Sequence, residues 1–389
     1  MRRYTGVIQG VYNALGIYNS PSNFTYLWSF GSMAFICLII QIITGIFLSM
    51  YYKSDIGLAF GSIEYISREV YYGWLVRYIH MNGASVFFLV VYVHMLRNLL
   101  YNSYAYPRQI LWVSGVIIFF CMIITAFLGY VLPWGQMSLW GATVITSIVT
   151  AVPVIGLDVV EWLWGGFSVD DATLNRFYSL HFLFPFIILG LSIVHIILLH
   201  EFGSNNPIGI SAKQDSINFF PGYIIKDMYS WFMLFIFMGI LVFFMPNLLG
   251  HPDNYILGNA LVTPTHIVPE WYFLPLYAIL RSIPSKLMGL VVLVFAILTL
   301  VLLPWIVGSV LLVRSIYFKP FLKYVMVIVV INCLLLGWVG GKPVEAPYYT
   351  IGQIVTFMYF VLFYSLFFIN IIEFVVGWSY TYILGKNNE

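Results

Sequence analysis

Two stretches decide the fold: GWLVRYIHMNGASVFFLVVYVHMLRNLLY (73–101) and ATLNRFYSLHFLFPFIILGLSIVHIILLH (172–200). Each is long and apolar enough to cross a bilayer as one helix, which takes about 20 residues. Each carries two histidines 14 residues apart, His80 and His94 in the first, His181 and His195 in the second. A helix turns about 100° per residue, so 14 residues return to within about 40° of the same face after a rise of about 21 Å. Each helix therefore shows two imidazoles on one face at two depths.

Working outward, six more stretches are of spanning length. With the first two as B (Gly73 to Tyr101) and D (Ala172 to His200), they are A (Leu27 to Tyr51), C (Gln109 to Leu132), E (Tyr223 to Met245), F (Leu287 to Val307), G (Phe318 to Val339) and H (Ile351 to Tyr382). Pro107, Pro133, Pro221, Pro246 and Pro320 sit at or beside span ends, and Pro185 predicts a kink inside D. The composition agrees: 61% of the 389 residues are hydrophobic and only 8% are charged, too few charges to cover a soluble protein. The 19% aromatic content suits anchoring at both membrane interfaces. The expectation is an all-α integral membrane protein of eight transmembrane helices. A net charge of +2 without a basic cluster gives no reason to expect nucleic acid as a partner. Cys37, Cys121 and Cys333 lie inside apolar runs and read as small packing residues. The first twenty residues hold Arg2 and Arg3 but no apolar core, so no cleavable leader is expected.

Eight spans put both termini on one face. The long loops A–B, C–D and E–F share the other. The terminal face carries Arg2, Arg3, Arg97, Arg108, Lys213, Lys226, Arg314, Lys319, Lys323 and Lys386, against Lys53, Arg68, Arg77, Arg176, Arg281, Lys286 and Lys342 opposite. Ten against seven places the termini inside.

B and D run in the same direction, since one antiparallel span separates them. His80 is then level with His181 and His94 with His195, giving two bis-imidazole sites stacked across the membrane. Haem iron takes one imidazole on each side. Zinc wants four ligands close together, and no further Cys, His or carboxylate lies at those depths. A single histidine in a span is often a packing residue, but four in register on two parallel helices point to haem. Glycines repeat the number: Gly31 and Gly45 in A, Gly115 and Gly129 in C, are each 14 apart. A and C run against B and D, so Gly45 and Gly129 are level with His80 and His181, and Gly31 and Gly115 with His94 and His195. A flat macrocycle needs close backbone; small-residue helix packing is the plainer alternative. Arg77 precedes His80 by three residues and Arg97 follows His94 by three, where they would meet haem propionates or simply snorkel at a span end.

These spacings resemble the mitochondrial and bacterial cytochrome b family. So do GQMSLWGATVIT (135–146), WLWGGFSV (162–169), GSNNP (203–207), LGHPDNY (249–255) and PEWYFLPLYAILRSIP (269–284). The resemblance covers nearly the whole chain. Photosynthetic relatives are split into two chains with a second histidine pair one residue wider; this chain is fused and its spacing in D is 14. Departures are Asn98 and Asn102, where the family has glycines, and a loose match over the first twenty residues and beyond Phe374.

The resemblance implies the di-haem subunit of ubiquinol–cytochrome c oxidoreductase, respiratory complex III. Residues 1–210 would form a di-haem four-helix bundle with quinone-site elements, and 211–389 a C-terminal four-helix region with the PEWY loop. Two haem b are implied, the low-potential one on His80 and His181 near the outer face, the high-potential one on His94 and His195 near the inner face. Ubiquinol would be oxidised beside the first and quinone reduced beside the second, coupled to proton translocation. Glu270, between Pro269 and Trp271 in an apolar loop, should have a raised pKa that suits proton acceptance; a solvated loop carboxylate is the alternative. The resemblance places Tyr277, Trp140 and Gly141 in the same pocket. On the inner side His200 and Asp227 are expected to supply protons to quinone, with Ser204 and Trp28 nearby. His200 is about 140° off the His195 face and is no ligand. His251 and His266 read as loop residues, and Asp253 and Asn254 as loop structure. Implied partners are the Rieske iron–sulfur subunit, a cytochrome c-type subunit, other complex III subunits, lipids and a second copy in a homodimer. The implied location is the mitochondrial inner membrane with both termini in the matrix, a bacterial inner membrane being the alternative. A flavin-dependent di-haem reductase would need a nucleotide-binding domain, and no stretch supplies its glycine-rich loop. A secondary transporter would need broken spans and inverted repeats, and would leave the histidine register unexplained.

Overall fold

The computed structural model describes residues 6–12, 16–210, 212, 214–307 and 315–386. Arg2, Arg3, Lys213, Arg314 and the side chain of Lys386, all counted above on the terminal face, lie outside what is described. Among the described residues the helices are α1 (Gly6–Val11), α2 (Phe30–Ser49), α3 (Ala59–Arg68), α4 (Gly73–Leu100), α5 (Gln109–Val131), α6 (Gln136–Ser147), α7 (Gly156–Trp164), α8 (Asp171–Phe202), α9 (Gly222–Phe244), α10 (Leu274–Arg281), α11 (Lys286–Val307), α12 (Pro320–Gly340) and α13 (Tyr348–Lys386). Two short strands, β1 (Asn19–Pro21) and β2 (Ser216–Asn218), pair antiparallel with Asn19 opposite Asn218. Among the described residues eight helices are long and apolar enough to cross a membrane: α2 with its lead-in turn, α4, α5, α8, α9, α11, α12 and α13. They are the spans A to H, and for A to G the ends fall within two residues of those read from the sequence.

The helices gather into two groups. α2 packs along α4, α5 along α8, and α2 touches α8. α9 joins this first group by packing on α4 and α2. Its interior is built from Cys37, Leu38, Val86, Phe88, Phe119, Met122, Ile188, Leu234 and Met238. The second group packs α10 against α11, α12 and α13, around Ala278, Ala296, Leu303, Met326, Leu336, Tyr359 and Phe363. Small residues at such contacts let backbones approach, which is what drives helix association where the surroundings are as apolar as the side chains. Cys37 is fully buried and the three thiols are free.

Local chemistry sets the ends and the bends. Asp170 and Thr173 form a reciprocal cap at the start of α8. Gly203, at φ +72°, ends it in a conformation that side chains resist. Inside α11, Pro304 has no N–H to give the carbonyl of Leu300. The Trp112 indole of α5 donates to that carbonyl instead, at 2.7 Å. The loop after α9 is pinned onto the start of α6. Gln136 N–H donates to the Ile256 carbonyl and Gly258 N–H to the Trp134 carbonyl. Asn254 Oδ1 accepts from both the N–H and the hydroxyl of Ser138, at 2.9 and 3.0 Å. This brings the chain around Glu270 back over the end of α5.

Candidate functional site

At the first level the rings of His80 (α4) and His181 (α8) face each other with centroids 6.2 Å apart and planes nearly perpendicular. The neighbouring helices supply glycine where a side chain would strike the imidazoles. A Cβ at Gly45 would stand 3.2 Å from His80 Cε1, and one at Gly129 would stand 2.4 Å from His181 Cε1. The second level repeats the arrangement. A Cβ at Gly31 would stand 3.3 Å from His94 Cε1, and one at Gly115 would stand 3.2 Å from His195 Cε1.

Hydrogen bonds fix the tautomers. The Thr44 hydroxyl donates to the Ile40 carbonyl and so accepts from His80 Nδ1 at 2.9 Å. The Ser114 hydroxyl donates to the Leu111 carbonyl and accepts from His195 Nδ1 at 2.7 Å. His181 Nδ1 donates to the Thr125 carbonyl at 2.8 Å. With the proton on Nδ1, each of these three rings keeps the lone pair on Nε2 for a metal, the outer contact orienting the ligand. His94 differs: the Arg97 guanidinium lies 3.5 Å from its Nδ1. Thr44 and Ser114 were not singled out from the sequence. Their signal is plain in hindsight, since each immediately precedes a glycine of the repeat.

The arginines are placed differently. Arg77 donates to Ser67 Oγ at 2.8 Å and lies 5.6 Å over the Tyr255 ring. Arg97 is buried, lies 5.1 Å over the Trp28 ring, and its Nε–H has no partner. A buried guanidinium with an unfilled donor asks for an anion.

A cavity of about 270 Å³ joins the first level to the loop that follows α9. Its walls include His80, His181, Gly45, Gly129 and Arg77 together with Tyr130, His251, Glu270 and Tyr272. The loop is hung from α4. Trp271 Nε1 donates to Ser85 Oγ at 3.1 Å, the Tyr92 hydroxyl donates to the Tyr272 carbonyl at 2.5 Å, and the Tyr272 ring stacks flat on Phe88 at 4.1 Å. Glu270 is left facing the cavity. Burial pushes its carboxyl up to about 7, with the Tyr130 hydroxyl beside it pulling the other way. Tyr130 and Tyr272 are walls that sequence reasoning missed. Tyr277, Trp140 and Gly141 do not line this cavity. Arg281 lies 4.8 Å over the Tyr277 ring, and the Trp140 indole donates to the Asn259 carbonyl at 3.3 Å. A Cβ at Gly141 would meet open space.

Near the second level, Trp28 Nε1 donates to the Asn205 carbonyl at 2.8 Å, and Asn205 Nδ2 donates to the Tyr101 carbonyl at 2.9 Å. Ser204 is half-buried beside Asn205. Asp227, in the first turns of α9, has the hydroxyls of Ser29 and Ser32 beside it. His200, near the end of α8, stacks on Tyr18. Asn98 Nδ2 donates to the His94 carbonyl at 3.0 Å, and Asn102 takes φ +46°, a conformation asparagine tolerates. Of the loop histidines, His251 Nδ1 accepts from Asp253 N–H at 3.2 Å. Among the described residues no three of His, Cys, Asp and Glu gather around one point.

Residues 16–203 match the family cytochrome b/b6/petB, and residues 257–360 match cytochrome b (C-terminal)/b6/petD. The cytochrome b of Oryza sativa subsp. japonica is 54% identical over 93% of this chain and 92% of its own length. That of Chondrus crispus is 57% identical over 89% of this chain and 90% of its own length. This chain belongs to the cytochrome b family. A chain of a solved hyperthermophilic respiratory complex III superimposes with a TM-score of 0.90, covering 95% of this chain and 98% of that one at 35% identity.

The cytochrome b family implies haem b, and the residues present fit it. Four glycine positions keep Cβ atoms off four imidazoles, as a flat group between helices requires, and Arg97 holds an unfilled cationic donor beside one pair.

Proposed function

We propose that this chain is the di-haem subunit of a respiratory complex III, coupling ubiquinol oxidation at the His80/His181 level to quinone reduction at the His94/His195 level. One observation carries the reading: the same histidine-on-glycine construction occurs twice on the same helices, and a cavity runs from one of the two to a carboxylate with a pKa near neutrality. Bound haem b, one per histidine pair, supplies a one-electron carrier at each depth, low-potential at His80/His181 and high-potential at His94/His195. The chain's own residues do the rest. Thr44, Ser114 and the Thr125 carbonyl hold the ligand rings in the metal-binding tautomer. Arg97 offers a charge-assisted donor to a propionate, and Arg77 lies at the corresponding end of the other level. Glu270, its carboxyl raised by burial toward neutrality, accepts a proton from a quinol hydroxyl. His200 and Asp227 deliver protons to reduced quinone on the opposite face, with Ser204 and Trp28 shaping that site. Proton release on one face and uptake on the other makes the cycle proton-translocating.

Partners follow from the likeness to complex III: a Rieske iron–sulfur subunit taking one electron from quinol, a cytochrome c-type subunit, further subunits, lipids and a second copy of the chain. Eight candidate spans and relatives such as those of rice and Chondrus crispus support a multi-pass protein of the mitochondrial inner membrane, termini on the matrix side. The test is haem content and redox titration of the purified complex with and without His80→Ala and His94→Ala. Two b haems per chain, with one lost in each variant, support the reading. Two haems in either variant would overturn it.

A further inference from the structure

The ring of Tyr18 lies over that of His200, with centroids 4.3 Å apart and planes 19° from parallel. The two residues come from distant parts of the chain, so something must hold them together. β1 begins at the next residue and pairs with β2, which ties the N-terminal segment to the connection between α8 and α9. The Tyr18 carbonyl accepts from Phe219 N–H at 3.0 Å. At the other end of the side chain is the turn that closes α8. A Cβ at Gly203 would stand 3.3 Å from the Tyr18 hydroxyl, and the Gly203 carbonyl accepts from Arg108 Nε–H at 2.7 Å. Burial raises the Tyr18 phenol, the Arg108 cation opposing it, so the hydroxyl stays neutral at physiological pH. An aromatic ring with an apolar body and a polar tip is suited to such a boundary position.

We propose that Tyr18 is a positioning residue for His200: the stack closes one face of the imidazole, fixes its plane and leaves its edge to a bound quinone. The proposal rests on the assignment of His200 to the quinone-reduction site. An imidazole that delivers protons must hold one ring nitrogen within hydrogen-bond reach of the acceptor. Free rotation about the last side-chain bond would spread that nitrogen over many directions. The two-stranded sheet thus has a use that nothing in the helix bundle supplies: it brings a rigid plate from the N-terminal segment onto the end of α8.

Two measurements on the purified complex test this. The first is carbethoxylation of His200 by diethyl pyrocarbonate, followed by peptide mass spectrometry, which needs no turnover. Tyr18→Phe should match the wild type, while Tyr18→Leu should react several-fold faster. Tyr18→Met serves if the leucine variant assembles poorly. The second is the rate of cytochrome b reduction by decylubiquinol with the Glu270 site blocked by an inhibitor. Tyr18→Leu should lower the maximal rate by about tenfold, as expected for a misplaced reacting group, with little change in the half-saturating concentration. Tyr18→Phe should restore it. Equal His200 reactivity in the wild type and the leucine variant would overturn the stack. Faster modification with an unchanged rate, while His200→Ala does lower the rate, would overturn the positioning role. An unchanged rate in His200→Ala would remove His200 from the quinone site and the proposal with it.

Discussion

Glu270 shows how burial turns an ordinary carboxyl into a group that titrates where the cell works. Its carboxyl is raised to about 7. With Glu270 as the proposed base, which must be ionised, quinol oxidation should slow as pH falls through 7, and the acid limb of the pH–rate profile should have its midpoint there. Glu270→Gln should lower the rate by about 10²-fold, within the usual range for a lost general base, and flatten that limb. Initial rates of cytochrome c reduction from acid to alkaline pH check both. An unchanged acid limb in the variant would show that another group accepts the proton. The glycines make a second prediction. A Cβ at Gly129 would stand 2.4 Å from His181, whereas one at Gly190, on α8 between the two histidine levels, would meet nothing within 4 Å. Gly129→Ala should therefore lose or shift one haem in the reduced-minus-oxidised spectrum, and Gly190→Ala should leave both. The repeat of 14 made the histidines and glycines legible in the sequence, because an intramembrane imidazole is conspicuous. Tyr130 and Tyr272 were not legible. A tyrosine near a span end, as Tyr130 is, is usually an interfacial anchor; Tyr272 lies mid-loop with no spacing to single it out, and only the folded loop brings these two to a carboxylate.

Among elements, the contact between α5 and α11 isolates one interaction. Trp112 fills the carbonyl of Leu300 that Pro304 leaves open. Trp112→Phe should cost about 1–3 kcal/mol by stranding that carbonyl. Adding Pro304→Ala restores the helix's own N–H and should recover much of the loss. Thermal loss of the cytochrome b spectrum in detergent, taken around the double-mutant cycle, measures the coupling. Equal effects of Trp112→Phe with and without Pro304 would refute it. Span number and ends were readable because length and hydropathy alone set them. The partners of each span were not. In lipid the outward face is as apolar as the inward one, so periodicity does not say which side packs. That is why the packing of α9 on α2 and α4 could not be foreseen from its sequence. The pinning of Asn254 onto Ser138 was equally hidden, being a contact between residues 116 positions apart.

At the scale of the whole molecule, eight spans place Tyr71, before α4, and Tyr106, after it, on opposite faces. Both are well exposed, at 86% and 70%. Tyr71→Cys and Tyr106→Cys should label with an impermeant maleimide from opposite sides of sealed inner-membrane vesicles, Tyr106→Cys from the matrix side. Labelling of both from one side would break the eight-span topology. One helix, α4, also does two jobs at once. It carries His80 and His94, and through Ser85, Tyr92 and Phe88 it carries the loop that presents Glu270. Any tilt or slide of α4 is therefore a displacement common to the proposed haem ligands and to the loop. In the proposed mechanism only their difference matters to a tunnelling electron, whose rate falls exponentially with distance. Mounting both on one rod works as common-mode rejection: the bilayer can shake the assembly while the gap that sets the rate stays quiet.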